Sequence, residues 1–475
     1  MTEQTDARLP RAGGVDPAAV AAFVRAARDV GNELHSLMLY RDGAVAAEHF
    51  WWPYRPELPH SLHSVTKAFT ATAVGLAVGE GRLAVTDRVV DLVADRVPRD
   101  PGEHLAAMTV EDLLTQTSGH AFGVSGVAWR GLRTSWVDEV LCLPVEHRPG
   151  THFAYSSATS LLLSAAVTAV TGDTLADYLR PRLFEPLGMS AGLRWDTTPD
   201  GINTGGNGLS ATTEDLLKLA VLHLRHGRWR GRQLLDHGWI EAATADSRGN
   251  GYGYHWWLAP EQGAYIAYGA FGQYAFVFPD RRVALAVTGS APSIVGDRLP
   301  GVVFEYLPAL TGGVAGAVDG PGDEPALGGH ELLPPPARGR STVESAVSGR
   351  RFTMTANDDD VRAVSADFTG DRCLFTLVDS HGEHRVEAGL GHWIESSTSM
   401  PGAALHHGYE PACQRVVAAG TWSSPTAFTM TWQFVDTPFR DTVVLDFTAD
   451  TVRLNRGVNV NSGPTTRPTL DGRAG

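Results

Sequence analysis

Cysteine is scarce in this 475-residue chain: Cys142, Cys373 and Cys413 stand alone, and none belongs to a Cys-x-x-Cys pair. That spacing argues against a disulfide framework and against a thiolate zinc site. Charge is also thin, at 19% of residues, and it leans acidic, with 39 Lys and Arg against 53 Asp and Glu for a net charge of −14. Without a dense basic run no nucleic-acid partner is expected. Long hydrophobic runs are missing as well. Phe69–Val78 and Leu161–Val170 are broken by Gly, Ser and Thr and are too short to span a bilayer, so they read as buried helices and no membrane partner is expected. Met1 to Asp16 is polar and holds no apolar stretch of secretory-signal length, which makes the cytoplasm the expected address. His60, His63, His120, His152 and the pair His406-His407 lack His-x-x-x-His spacing. No metal and no cofactor is expected.

What is present is the composition of a globular protein, 43% hydrophobic, in a chain longer than one core usually organises. At least two domains follow. Residues 17–29 carry helical periodicity, and Leu34 to Tyr54 reads as a hairpin turning at Asp42-Gly43. Ser64 to Glu80 reads as a buried helix, 108–118 and 157–180 as further helices, and Asp215 to Arg225 as another. Tyr254–Leu258, Ala264–Tyr268, Gln273–Phe278 and Val283–Thr288 read as strands. Early and late strands would share one sheet covered by the helices between them, an α+β domain over residues 1–310.

Residues 311–342 shift to Gly, Pro and Ala, including Pro334-Pro335-Pro336, the pattern of a linker. Beyond it, Arg350–Ala356, Ala363–Phe368, Cys373–Val378, His384–Gly389, Ala427–Phe434 and Asp441–Phe447 are short strand-like runs. Residues 343–475 are therefore expected to form an all-β barrel or sandwich. No repeat of fixed period is visible, so a solenoid or propeller is not supported.

The sharpest chemical feature is Ser64-Val65-Thr66-Lys67. Three residues apart on a helix places the Lys67 amine beside the Ser64 hydroxyl, where it can take the serine proton or support a neighbouring base. The helix N-terminus would also offer free N–H groups to a developing oxyanion. Alone, a pattern with two fixed positions is equally a helix cap. A second feature is Pro149 to Ser157, a turn, an extended piece and a helix start that holds up Tyr155. A phenol near an ammonium is expected to shift towards phenolate and to serve as a general base; taken alone, Tyr155 is equally a structural tyrosine. Asn203 to Gly208 is glycine-rich but lacks a Gly-Lys-Ser/Thr ending, so it reads as a site-lining turn and not a phosphate loop. Trp51-Trp52 and Trp256-Trp257 either form an aromatic acyl pocket or pack the core, with packing the stronger reading at strand positions.

Taken together, Ser64-Val65-Thr66-Lys67-Ala68-Phe69-Thr70, the segment Leu113 to His120 (LLTQTSGH), and the block from Pro149 through Tyr155 to Pro186-Leu187-Gly188-Met189 resemble the serine β-lactamase-related family over roughly residues 20–305. The similarity points to its class C β-lactamase, D-alanyl-D-alanine carboxypeptidase, esterase and 6-aminohexanoate-dimer hydrolase branch. The resemblance implies a β-lactamase/transpeptidase-like domain with a helical subdomain, and catalytic roles for Ser64, Lys67 and Tyr155. There are two departures. Ser157 stands where the family commonly has Asn, which puts antibiotic turnover in doubt, and no literal Lys-Thr-Gly or His-x-Gly motif precedes Tyr268-Gly269-Ala270-Phe271-Gly272-Gln273-Tyr274. That piece resembles the Gly-x-x-Gly-Gln segment of the aminohexanoate-dimer hydrolases. It implies an oxyanion hole made by the N–H groups of Ser64 and Ala270, with Ser157, Gly269, Phe271 and Gly272 touching substrate. The missing cation hints at a substrate that is neutral near the scissile bond.

The expected activity is that of a serine hydrolase. Deprotonated Tyr155, assisted by Lys67, would take the Ser64 proton during attack on a small-molecule ester, amide or peptide, giving an acyl-enzyme. An acyltransferase or peptide cyclase would use the same residues with an amine or alcohol acceptor. A non-catalytic penicillin-binding-like module would need a broken constellation.

Overall fold

The computed structural model describes residues 8–292, 296–312, 332–402 and 404–475. Two compact units emerge from the packing. The described residues of Met1–Trp51, Arg55–Gly289 and Arg298–Gly329 form one, and those of Trp52–Tyr54, Ser290–Asp297 and His330–Gly475 form the other. Most of the residues read as a linker, 313–331, lie outside the described residues.

The first unit is built on a six-stranded sheet. Its strands are β1 (Glu33–Arg41), β2 (Ala44–Phe50), β3 (Trp257–Ala259), β4 (Ala264–Gly269), β5 (Gln273–Phe278) and β6 (Val283–Ser290), in the order β2-β1-β6-β5-β4-β3. The chain's first and last strands of this unit thus meet at its centre. β5 and β6 are buried at every residue, as strands covered on both faces must be. Helices α1 (Pro17–Asp29) and α5 (Leu299–Thr311) pack together, with Phe23 against Tyr306 and Phe304 edge-on to Phe276 and Phe278 of β5. Asp16 caps α1 through the N–H of Ala18, and Pro17 sits at its first turn, where no N–H is needed.

Helix α2 (Thr66–Gly79) is buried nearly all round, the mark of a central helix and not a surface one. Gly75 permits that position, since a Cβ there would lie 2.5 Å from the Trp239 indole. Helices α3 (Ser157–Thr171) and α4 (Thr213–Leu224) complete the packing around it, α4 starting in a capping box of Thr212 and Asp215. The helix expected over 157–180 ends at Gly172, whose left-handed φ of 80° closes α3. The strand expected at Tyr254 begins only at Trp257, because His255 adopts φ 61° and turns the chain first. No single helix among the described residues is long and apolar enough to cross a membrane.

The second unit is a closed sheet. Its strands are β7 (Arg351–Met354), β8 (Ala363–Thr369), β9 (Arg372–Val378), β10 (Glu383–Leu390), β11 (Ile394–Thr398), β12 (Gln414–Trp422), β13 (Ala427–Phe434), β14 (Arg440–Phe447), β15 (Thr451–Val458) and β16 (Leu470–Ala474). They run β10-β9-β8-β7-β16-β15-β14-β13-β12-β11, and a parallel contact between β10 and β12, Gly389 opposite Ala419, closes the sheet and leaves β11 as a strand paired to β12 alone. Of the barrel and the sandwich expected, this is the barrel-like form. Cys373, Phe375 and Leu377 alternate inward along β9. Within this unit the Tyr54 hydroxyl donates to the Thr437 carbonyl at 3.2 Å.

Candidate active site

Ser64 lies in a 3-10 turn, His63–Val65, immediately ahead of α2. The turn is set by two features. His60–Ser61 pairs with Leu209–Ala211, and the Leu62 N–H donates to the Leu209 carbonyl at 2.9 Å. His63 then takes a left-handed φ of 47°, a conformation a bulky residue holds only when its surroundings impose it. Ser64 emerges half-buried, with Lys67 in the first turn of α2 fully enclosed.

Lys67 Nζ lies 3.1 Å from Ser64 Oγ, donates to the Gly206 carbonyl at 2.9 Å and reaches Ser157 Oγ at 3.4 Å. Gly206 belongs to the Asn203–Gly208 turn, which lines the site as expected. Gly205 and Gly206 are required there, because a Cβ on either would collide with the first turns of α3 at Ser160 and Ser157. Ser157, the first residue of α3, is half-buried.

The Tyr155 hydroxyl interacts with that of Ser64, which lowers the phenol, and Lys67 Nζ sits 4.7 Å from the centre of its ring. The three groups from two distant stretches of chain therefore meet around one hydroxyl. Their electrostatics differ from the sequence expectation. Enclosure of its hydroxyl pushes Tyr155 up to about 12, only partly offset by the bond to Ser64. Enclosure likewise pulls Lys67 down to about 7. Burial disfavours whichever form is charged, so the phenol keeps its proton and the amine gives its own up. The phenolate expected from the ammonium's proximity is corrected accordingly.

Two further residues hold or flank Tyr155, the first of them passed over by sequence reasoning. Gln116 stands where the resembled Leu-Leu-x-His-Thr-Ser-Gly segment has His, and it adopts a left-handed φ of 60°. Its carbonyl accepts from the Ala154 N–H at 2.9 Å, and its side-chain oxygen accepts from the Ser156 N–H at 2.7 Å and Thr159 Oγ1 at 3.0 Å. Both neighbours of Tyr155 are thereby held by one residue. His255, lowered to about 3 chiefly by burial, shares a 3.0 Å hydrogen bond with Ser160 and lies 3.5 Å from the Gln116 amide. The one available signal was the Gln in place of His.

Trp257 is the other. Its ring lies 5.2 Å from that of Tyr155, and Phe153 and Tyr252 complete the cluster at 6.1 and 4.8 Å from Trp257. The two members of the Trp256-Trp257 pair sit differently. Trp256 is fully buried against His223 and Tyr265, whereas Trp257 is half-buried beside Tyr155. Trp51 is buried and Trp52 lies near Trp393, 5.7 Å away within the second unit.

The Gly-rich hairpin at the end of β4 passes directly beside the nucleophile turn. A Cβ on Gly269 would lie 2.2 Å from the Leu62 carbonyl, so only glycine allows the approach. Ala270, the next residue, is half-buried. Gln273 pins the loop by donating to the Phe271 and Gly289 carbonyls, each at 2.9 Å. Phe271 and Gly272 take φ of 63° and 91°. Phe271, expected at the substrate surface, has its side chain wholly buried, edge-on to His63 at 5.3 Å. Its side chain packs under the loop.

Among curated proteins, the chain is 28% identical to penicillin-binding protein 4 of Amycolatopsis lactamdurans, over 45% of this chain and 60% of that one. It is 24% identical to the 6-aminohexanoate-dimer hydrolase of Paenarthrobacter ureafaciens, over 44% of this chain and 57% of that one. The chain thus spans somewhat over half the length of these relatives. A solved structure described as SurE with D-Leu superposes with a TM-score of 0.52 at 20% identity, covering 88% of this chain and 97% of the other, a likeness of fold. The family model described as Beta-lactamase matches residues 26–298, more than half of the sequence, and the chain belongs to that family.

Proposed function

We propose that this protein is a serine hydrolase that cleaves an ester or amide through an acyl-enzyme on Ser64. The observation that carries the reading is the meeting of the Lys67 amine, at 3.1 Å, and the Tyr155 phenol on the Ser64 hydroxyl. A neutral amine has two N–H donors and one lone pair. Donation towards Gly206 and Ser157 leaves the lone pair for Ser64.

Neutral Lys67 accepts the Ser64 proton as Oγ bonds the substrate carbonyl carbon, and the oxyanion is held by the N–H groups of Ser64 and Ala270. As the bond to the leaving oxygen or nitrogen breaks, Tyr155 gives that atom its phenol proton and recovers the one on Lys67. Water then attacks the acyl carbon by the reverse route, releasing the acid and restoring the Ser64 hydroxyl. Backbone oxyanion donors need no particular side chain, and losing one typically costs about 3 kcal/mol in the transition state.

Intact-mass spectrometry after exposure to a fluorophosphonate tests the reading. A stoichiometric adduct on wild type and none on Ser64→Ala is expected, with ester turnover lost in the same variant. Undiminished turnover in Ser64→Ala would overturn it.

A further inference from the structure

Around the nucleophile the described side chains divide by chemistry. Lys67 is the one ionisable amine that the described contacts place against Ser64, and no carboxylate or guanidinium among the described residues accounts for the displacement of Lys67 or Tyr155. Beside Tyr155 the surroundings are aromatic. Trp257 lies 5.2 Å from its ring at 33°, Tyr252 meets it edge-on at 6.0 Å, and Phe153 touches both at 6.1 and 5.7 Å. Tyr252 is buried and backs the cluster, while Phe153, Tyr155 and Trp257 keep part of their surface open. Three of the four rings thus keep open surface in a cluster that includes the Tyr155 ring.

The side matters chemically. On the acyl-enzyme reading, on which this inference rests, the atom that Tyr155 protonates is the one that departs, so whatever surrounds the Tyr155 ring surrounds the leaving group. We propose that Phe153 and Trp257 form a leaving-group subsite that takes an uncharged aromatic or bulky apolar alcohol or amine, with Trp257 as its specificity-determining residue. A leaving group bearing a carboxylate, as when a peptide releases its C-terminal amino acid, meets among the described contacts of these rings only Lys67, which must be neutral to act as the base, and so loses its hydration without replacement. By microscopic reversibility the acceptor in the second step enters where the leaving group went. An apolar amine or alcohol therefore competes with water for the acyl-enzyme, forming an amide or ester and returning the proton to Ser64.

Three acetate esters sharing one acyl group isolate the subsite: 2-naphthylmethyl acetate, ethyl acetate and acetoxyacetate. With the full-length protein, kcat/KM is expected to favour the naphthylmethyl ester over the ethyl ester by about tenfold or more, the scale of one good aromatic contact plus its burial. Acetoxyacetate is expected to be the poorest of the three. Trp257→Ala should shrink the naphthylmethyl-to-ethyl ratio to near unity, and Trp257→Phe should keep most of it. If Trp257→Ala loses its fluorophosphonate adduct, Trp257→Leu, which keeps bulk but removes the ring, makes the same comparison. A Ser64 adduct together with a ratio that Trp257→Ala or Trp257→Leu leaves unchanged overturns the subsite alone. Absence of the adduct on wild type removes the acyl-enzyme reading, and the subsite falls with it.

Discussion

The side-chain oxygen of Gln116 accepts the N–H of Ser156 at 2.7 Å, one residue past the Tyr155 phenol, while the Gln116 carbonyl accepts the N–H of Ala154 one residue before it. Such a bracket fixes a backbone without touching the reactive group. Gln116→Leu removes the side-chain acceptor and leaves the buried Ser156 N–H without its partner, at a cost of about 1–3 kcal/mol in stability. If the bracket positions Tyr155, kcat falls at least about tenfold with KM little changed. Gln116→Glu, which keeps the oxygen, should recover much of kcat. Chemical denaturation and steady-state ester kinetics on the three proteins decide this; loss of stability alone, with kcat intact, would reduce Gln116 to a packing residue.

With Lys67 near 7 and Tyr155 near 12, the limb of kcat/KM on the acid side belongs to the amine. Activity should rise as pH passes upward through about 7, as Lys67 loses its proton and becomes able to accept that of Ser64. Tyr155→Phe should lower kcat/KM by roughly a hundredfold or more while retaining that rising limb. Disappearance of the limb in Tyr155→Phe would return the role of base to the phenol.

A buried amine also has a signature in stability. Lys67 is depressed in the folded state, so the unfolded chain holds the extra proton between about 7 and its ordinary value near 10.5. Folding stability therefore rises with pH across that interval, and the penalty is fully present below it. Lys67→Met should be inactive yet more stable at pH 7, by about 1–2 kcal/mol, with the gain shrinking towards pH 10. Hydrogen exchange of Thr66–Gly79, the helix that carries Lys67, compared between the two proteins at pH 6.5 and at pH 10, measures it.

How much of this was readable in advance depends on how local each feature is. Ser64 and Lys67 lie three residues apart, so helical geometry alone brings them together, and the recurring blocks around Tyr155 carried it to the same place. Gln116 was invisible because its role arises from a left-handed backbone, and Trp257, weighed only as acyl pocket or core packing, is set beside Tyr155 by a cross-chain ring contact that sequence does not show. The ionisation of Tyr155 was misjudged for the same reason: proximity of charge is legible in sequence, whereas depth of burial is not. In the second unit, β12 and β15 escaped notice because Ala and Gly in one, and Arg and Asn in the other, dilute the β-branched and aromatic signal. The closure of the sheet rests on Gly389 and Gly420, residues with no side chain to advertise a pairing.

Gly269 offers a steric test of the oxyanion arrangement. Its absent Cβ would stand 2.2 Å from the Leu62 carbonyl, which is backbone and cannot swing aside. Gly269→Ala should force β4 away from the nucleophile turn, costing about 1–3 kcal/mol in stability. On the proposed mechanism the Ala270 N–H moves with it, and kcat should drop by roughly a hundredfold. Wild-type kcat in Gly269→Ala would show that this hairpin contributes nothing to the transition state.

The second unit carries a largely buried ionic network whose failure should be separable from the chemistry. Asp441 accepts from Arg456 Nε at 2.7 Å and pairs with His406 Nε2 at 2.7 Å, while Arg456 also donates to the Pro401 carbonyl at 2.6 Å. Burial alone would raise the Asp441 carboxyl, yet Arg456 and His406 together hold it below its ordinary value. Asp441→Ala strips Arg456 of its counter-charge and His406 of its hydrogen-bond partner inside the unit and should cost about 3–5 kcal/mol, the usual penalty for breaking a buried pair from one side. Because the chain comprises two compact units, a single melting temperature is a poor measure. Hydrogen exchange of Arg440–Phe447 and Thr451–Val458, the strands that carry Asp441 and Arg456, reads the loss directly. A carboxyl depressed on folding stabilises above its unfolded value and stops doing so as pH falls through its folded one. The protection difference between wild type and Asp441→Asn should therefore be full at neutral pH and should close below about pH 4. Equal protection in the two proteins at pH 7 would mean that the network specifies geometry without adding net stability.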